Sequence, residues 1–343
     1  MPRLSSPQHR FPGTPARHCG IALASISLAL CGCGNTAKLP ESAMPTPSAV
    51  KSGPQLGYAW KSADQTLRPI LGVPGSSQIG ASVVAPTTFV AAESSSANSI
   101  ALLIGSDQQV YLMSLPNGTP AKINLAASAG SKIRFSPSGT AALVYVPGSP
   151  TASVVTNLAS GPQIRLASFG APVNSIAVSD DGTAVAAVKA SSGYALELIT
   201  SANARQQLEA LNGDGGLAFA GTGDDLLAAD SASNTLSLIR SVSSSPSMSQ
   251  IPTSNLLKTP IAVGASRNGR WAVVANSGES SVVQVDLTGA AGPQRIACPS
   301  QPTVVEPLAG NGVFRFTDVG PEPAWIADLT APNPSMFFIP ASR

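Results

Sequence analysis

The chain is short of charge, of aromatic residues and, above all, of histidine. Charged residues make up 11% of its 343 positions and aromatics 5%, against 43% hydrophobic residues. Its 2 histidines, His9 and His18, both precede Cys19, and of its 4 cysteines only Cys298 lies beyond Cys33. A region without histidine cannot hold a Ser-His-Asp triad, a Cys-His pair or histidine-ligated zinc or iron. With a single cysteine it cannot close a disulfide on itself. No stretch holds apolar residues at helical spacing for long, because 31 Gly and 30 Pro break the chain too often. That excludes arrays of helical repeats.

The first thirty-odd residues stand apart. Arg3, Arg10 and Arg17 give a basic start, and no acidic residue precedes Glu41. An apolar run follows, Ile21-Ala-Leu-Ala-Ser-Ile-Ser-Leu-Ala-Leu30. It is too short to cross a bilayer as a permanent helix, which takes about 20 residues, and suits the core of an export signal. Leu30-Cys31-Gly32-Cys33 resembles the lipobox of bacterial lipoproteins, where a small residue precedes the cysteine that carries diacylglycerol. Cys33 fits because Gly32 precedes it; Cys31 fits worse because Leu30 stands in the small-residue place.

The resemblance implies a signal peptide over 1–32, lipidation at Cys33 and export to the cell envelope. Cleavage by ordinary signal peptidase, leaving a soluble periplasmic protein, stays open. Gly34 stands where many inner-membrane lipoproteins carry Asp, so the resemblance implies the outer membrane, facing the periplasm. Residues 33–55 then form the lipidated Cys and a Pro- and Ser-rich tether, spanning on the order of 25 Å as a coil. Loss of 1–32 removes three of the 20 Lys+Arg and none of the 18 Asp+Glu, so the formal charge moves from +2 to −1. No basic footprint for nucleic acid survives.

Residues 56–343 carry a repeat. Ile133-Arg-Phe-Ser-Pro-Ser-Gly139 precedes Thr-Ala-Ala-Leu-Val-Tyr145, and Ile176-Ala-Val-Ser-Asp-Asp-Gly182 precedes Thr-Ala-Val-Ala-Ala-Val188. Equivalent glycines follow at Gly223, Gly269 and Gly312, each after one apolar strand and before another. An earlier copy places Asn98 in the glycine position, where the turn is expected to need positive φ. Further strand-like runs follow each pair, such as Val110–Leu115, Ser153–Leu158 and Ser281–Leu287. Four short strands in every 40–45 residues is the signature of a propeller blade.

"Phe-Ser-Pro-Ser-Gly-Thr" and "Val-Ser-Asp-Asp-Gly-Thr" resemble the repeats of YVTN/NHL/lactonase-like propellers. The expected fold is therefore all-β, a β-propeller of seven blades, with six plus a covering hairpin as the alternative. In the seven-blade reading, Gly57–Trp60 and Thr66–Leu71 are the third and fourth strands of a blade completed by the C-terminal run Met336–Ile339. That family includes enzymes, binders and scaffolds, so the resemblance implies architecture rather than activity.

Candidate chemistry is sparse. Asp180-Asp181, Asp224-Asp225 and nearby Asp230 are the densest carboxylates, and their place in successive turns points to turn geometry rather than to a metal. Gly213-Asp-Gly-Gly216 leads into a strand, which does not suit a phosphate loop. Lys189, Arg240, Arg267 and Arg315 could line a face of the disc or lie solvated on it. Trp60, Trp271 and Trp325 are expected to pack. No catalytic, cofactor or metal residue is assigned.

The function expected is a membrane-tethered periplasmic binding or scaffold module with a protein or polysaccharide partner and no cofactor. A lactonase-like hydrolase using tunnel carboxylates and an outer-membrane assembly factor are the alternatives. The anchor has a direct test. Cys33→Ser should move the protein from the membrane pellet to the soluble fraction and abolish labelling by a palmitate analogue, whereas Cys31→Ser should change neither.

Overall fold

The computed structural model describes residues 53–341. The export segment, Cys33 and most of the tether fall outside the described residues. Within them the protein is all-β, without a helix, and every strand pairs antiparallel with its sequence neighbour.

The first sheet has three strands, β1 (Gln55–Lys61), β2 (Thr66–Val73) and β3 (Ser76–Ile79). A four-stranded sheet follows, β4 (Phe89–Ser95), β5 (Ile100–Gly105), β6 (Gln109–Ser114) and β7 (Ala121–Ala126). Next is a seven-stranded sheet: β8 (Lys132–Phe135), β9 (Ala142–Tyr145), β10 (Ser149–Thr156), β11 (Gln163–Val178), β12 (Ala184–Lys189), β13 (Tyr194–Ile199) and β14 (Arg205–Leu211). Three further four-stranded sheets complete the chain. They are β15 (Leu217–Phe219), β16 (Leu226–Asp230), β17 (Thr235–Arg240) and β18 (Ser247–Ile251); β19 (Pro260–Ala265), β20 (Trp271–Asn276), β21 (Ser281–Asp286) and β22 (Gln294–Ala297); and β23 (Glu306–Pro307), β24 (Val313–Arg315), β25 (Ala324–Asp328) and β26 (Met336–Ile339).

The long β11 makes the seven-stranded sheet. Its first half pairs with β10 and its second half with β12, with register shifts in both ladders near Val173. One strand thus ends one repeat and begins the next, which a repeat read from glycine spacing does not reveal.

Cores form between successive sheets. Leu102, Ile104 and Val110 pack on Ile133, Val144 and Val155, and Val185, Leu196 and Leu198 pack on Leu217, Leu226 and Ile239. Leu227, Leu236 and Leu238 continue the series against Val263, Val274 and Val283. Middle strands are therefore buried on both faces, as in β5 and β21; β5 reads as a continuous apolar run rather than an alternating one, and β21 also buries Ser281, Gln284 and Asp286. Fourth strands such as β14 and β18 are mostly exposed.

The chain ends are arranged differently from the expectation. Gly57–Trp60 and Thr66–Leu71 lie in the first and second strands of their own sheet, and Met336–Ile339 pairs with β25 as the last strand of the final sheet. Hairpin periodicity alone cannot say where in a sheet a hairpin sits; the edge that it leaves free decides. Here Leu56, Ala59 and Ile70 pack with Leu308, Val313, Ile326 and Ile339, and the Ala309 N–H donates to the Leu56 carbonyl.

The turn glycines are also more varied than their spacing suggests. Gly139, Gly182 and Gly269 do have positive φ, but in the other copies Gly221, Gly310 and Ser99 take that conformation in place of Gly223, Gly312 and Asn98. At Gly139 a Cβ would lie 1.9 Å from Ser95 Oγ, so close packing of the preceding repeat also demands glycine there.

The acidic clusters hold turns. Asp181 accepts from the Thr183 N–H at 2.9 Å, Asp225 from the Ser241 N–H at 3.0 Å and Asp224 from the Ser243 N–H at 2.9 Å. Asp180 reaches the preceding repeat, accepting from the Ser138 N–H at 2.9 Å. Buried Asp230 accepts from the N–H groups of Asn212, Ala232 and Ser233 at 2.7, 3.0 and 3.0 Å. These bonds hold its carboxyl below the usual carboxylate range against the opposing effect of burial. Asp230→Ala should cost about 2–4 kcal/mol in urea unfolding, because it strands three backbone donors. Asp230→Asn, which keeps an acceptor oxygen, should cost less.

Candidate functional site

Successive first strands lie side by side, β1 against β4, β4 against β8, β8 against β11, and so on through β15, β19 and β23. Together they line a cavity of about 370 Å³. Small residues such as Ser94, Ala177, Ala218 and Gly264 line much of it, with Phe135, Phe219, Val263, Val305 and Leu308 supplying apolar surface.

One level of that wall is charged. Glu93 faces Leu102 across its hairpin, Arg134 faces Leu143 and Glu306 faces Arg315, each partner nine positions on. At the matching level the other first strands carry Ala59, Ala177, Ala218 and Gly264. Three ionisable side chains thus stand in a layer otherwise made of the smallest residues, and the missing side-chain volume leaves room between them.

Arg315 lies behind the wall, only 4% exposed, and forms an ion pair with Glu306. It also donates to the Thr317 carbonyl, and Asp318 Oδ1 lies 3.8 Å from its Nη1. Its Nε is buried without a partner. Burial opposes the charge of Arg315, but the carboxylates around it, Glu306 foremost, outweigh it and raise its pKa. Arg134 shifts in the same direction: burial opposes its charge, while its surroundings, Tyr145 and Glu306 among them, favour it.

Glu93 is the opposite case. It sits deep in the protein yet touches the cavity, so protein surrounds its carboxyl without sealing it from water. Burial first, and then the negative charge of Glu306, pushes its pKa up to about 8, despite the pull of Arg134 and Arg315. Its carboxyl is thus mainly protonated at neutral pH. Asp214, just ahead of β15, is raised by burial against hydrogen bonds from Ser175 and the Gly216 backbone.

Of the cations singled out in the sequence, Arg267 and Arg315 belong to this region. Arg267 is exposed at the rim of the cavity, where its guanidinium donates to the Ser96 carbonyl at 3.1 Å. Lys189 instead stacks on Tyr194, and Arg240 pairs with Asp225 on the surface. Trp271 packs under Arg270, Trp325 against Phe338, and Trp60 against the core that holds Leu67 and Phe89. Cys298 is buried, and burial pushes its thiol up.

Sequence reasoning missed Glu93, Arg134, Asp214 and Glu306. Their signal lay in the repeat itself: aligned on the turns, a column of alanine and glycine is broken by Glu, Arg and Glu. Among the described residues no group of three His, Cys, Asp or Glu is placed to hold a metal ion.

The raised Glu93 carboxyl fixes a pH dependence. Between 4.5, the ordinary value for Glu, and about 8, the folded protein keeps a proton that the unfolded chain releases. This contribution to stability is full below 4.5 and is lost as pH rises through about 8. Carboxylates with depressed values, such as Asp181, Asp230 and Asp286, act below 3.8 and leave this window clear. The urea midpoint should therefore fall from pH 5.5 to 8.5, and Glu93→Gln should flatten most of that fall. An unchanged slope in the variant would refute the assignment.

No protein-family model matches the sequence, and no curated protein sequence matches it either. Solved structures do resemble it. AztD from Citrobacter koseri aligns with a TM-score of 0.57 at 16% identity, over 84% of this chain and 82% of that one. A catalytically inactive histidine-to-alanine variant of virginiamycin B lyase from Staphylococcus aureus, with quinupristin, gives 0.52 at 12% identity, over 79% and 93%. A streptogramin B lyase gives 0.54 at 11% identity, over 80% and 87%. At such identities the likeness shows the fold alone: this chain has the β-propeller fold.

Proposed function

We propose that the protein is an exported, lipid-anchored binding module whose ligand site is the cavity between the first strands. The observation that carries this reading is the level of Glu93, Arg134 and Glu306 set among alanines and glycine. Burying ionisable groups beside one another is costly, and a hydrophobic layer would close the same space more cheaply. A binding site is a reason to keep them. The anchor at Cys33, on the outer membrane facing the periplasm, would hold the module at high local concentration beside an envelope partner, protein or polysaccharide.

The architecture that suits this role is a ring of seven blades. One is the three-stranded sheet, four are the four-stranded sheets and two are the halves of the seven-stranded sheet that share β11. Packing of Leu56, Ala59 and Ile70 against the last sheet supports closure of the ring.

One observation favours a second reading, an enzyme: a carboxyl with a raised pKa, Glu93, beside a second carboxyl, Glu306, as in acid–base pairs. Against it, Glu306 is engaged by Arg315. The inactive lyase variant has a histidine replaced, and the described residues here contain none, so no role transfers from that enzyme.

Cavity filling tests the binding reading. The full chain, incubated with a small-molecule extract of the periplasm and washed, should retain specific compounds detectable by mass spectrometry. Ala218→Phe, which places a ring at the charged level, should lose them while keeping the wild-type circular dichroism spectrum. Retention that is identical in the two proteins, or no retention at all, would reject the cavity as the site.

A further inference from the structure

We propose that the cavity takes a small carboxylate anion with an apolar body, bound by the guanidinium of Arg134 and hydrogen-bonded by the Glu93 carboxyl. This rests on the reading of the cavity as a ligand site and names the chemical class of its ligand.

The inference comes from asking which charges in the cavity are already answered. Glu306 and Arg315 answer each other. Arg267 donates to the Ser96 carbonyl at the rim, and Asp214 is held by Ser175 and the Gly216 backbone. Arg134 is left over. It lines the cavity with the Tyr145 hydroxyl beside it, and it forms no ion pair with a carboxylate among the described residues. A guanidinium deep in a protein without a carboxylate partner is costly, and its planar fork matches a carboxylate two bonds at a time.

Glu93 completes the recognition from the neighbouring strand at the same level. Protonated, it can donate to the anion; ionised, it would repel it. The groups facing it are Glu306 on β23, Arg134 on β8, Arg315 on β24 and Asp318 beyond β24. Asp214 shares the cavity.

Other ligand classes fit less well. A dianion such as phosphate would meet the charge of Glu306 beside Arg134, with Arg267 only at the exposed rim, and a cation would meet Arg134 itself. A neutral sugar would leave the guanidinium without its counter-charge. Phe135, Phe219, Val263, Val305 and Leu308 supply an apolar wall for the body of the ligand. At about 370 Å³ the space is near the small end of ligand sites, which suits an aryl or short alkyl acid.

Matched acid and amide probes provide the test. Benzoate and 4-phenylbutyrate, with benzamide and 4-phenylbutanamide as neutral counterparts, would be titrated calorimetrically into the full chain at pH 6.5 and pH 9. Each acid should bind at least tenfold tighter than its amide at pH 6.5, and about tenfold more weakly at pH 9 than at pH 6.5. Arg134→Met should erase the preference for the acid, and Arg134→Lys should keep part of it. Glu93→Gln should keep the preference and lose the pH dependence.

Acids and amides binding alike would overturn the proposal. So would a preference that survives Arg134→Met, or no binding by any of the four probes. Because the amide comparison uses the wild-type chain, a variant that fails to fold does not rescue it. If Ala218→Phe still abolishes retention of periplasmic compounds while these outcomes occur, the carboxylate class falls and the cavity stands.

Discussion

Burial of both faces of the middle strands is the constraint on which the rest of this structure depends. Each sheet packs its two faces against its neighbours, so β5 and β21 have no side chain facing water. Apolar burial contributes roughly 25 cal/mol per Å², and leucine, valine and alanine accordingly fill these positions. Polar chemistry gathers mainly at the exposed fourth strands, the turns and the inner edge of the first strands, with Glu197, Gln284 and Arg315 buried in middle strands. The turns use short carboxylates and glycine to satisfy their own backbone. Only the inner edge combines burial with access to a cavity, and only there do charges gain unusual properties.

The charged level works as a set rather than as separate pairs. Arg315, sealed behind the wall, pairs with Glu306, and the charge of Glu306 helps hold the proton on Glu93. Neutralising Glu93 in turn leaves Arg134 without a carboxylate of its own. Removing one member of such a set exposes an uncompensated buried charge, which typically costs about 3–5 kcal/mol. The unpartnered Nε of Arg315 is a further sign that this region is not arranged for stability alone.

Much of the fold could be read from the sequence, because the two signals that define a blade are local. Turn residues such as Ser136-Pro-Ser-Gly139 and apolar runs such as Leu226–Asp230 mark themselves without tertiary knowledge. What could not be read depends on which strands meet. The 16-residue β11 serves two repeats because its two halves find different partners. Placing Gly57–Trp60 first in its sheet and Met336–Ile339 last in another depended on edges that no periodicity encodes. The site was hidden for a related reason. Glu93, Arg134 and Glu306 lie in three separate repeats, and each alone looks like one polar residue on a strand. Only the register of seven hairpins, from Ala59 to Glu306, shows that they share a level. Asp214 was hidden by its setting in Gly213-Asp-Gly-Gly216, where glycine draws attention away from the carboxylate.

The turns that frame the cavity explain why so sparse a site can be selective. Neighbouring turns are bonded to one another: Ser138 N–H donates to Asp180, Asn268 N–H to Asn311 at 2.8 Å, and Arg267 reaches Ser96 from a turn 171 positions away. These bonds fix the heights of the first strands relative to each other, and with them the positions of Glu93, Arg134 and Glu306. A rigid frame lowers the ordering cost of binding, so a few well-placed groups can suffice. It also prevents the wall from closing on Arg134 to give it a partner. With the turns bonded to one another, the variable that the cavity offers is the proton on Glu93. The affinity of the site for an anion is then governed by that proton, and the propeller serves as the fixed geometry around it.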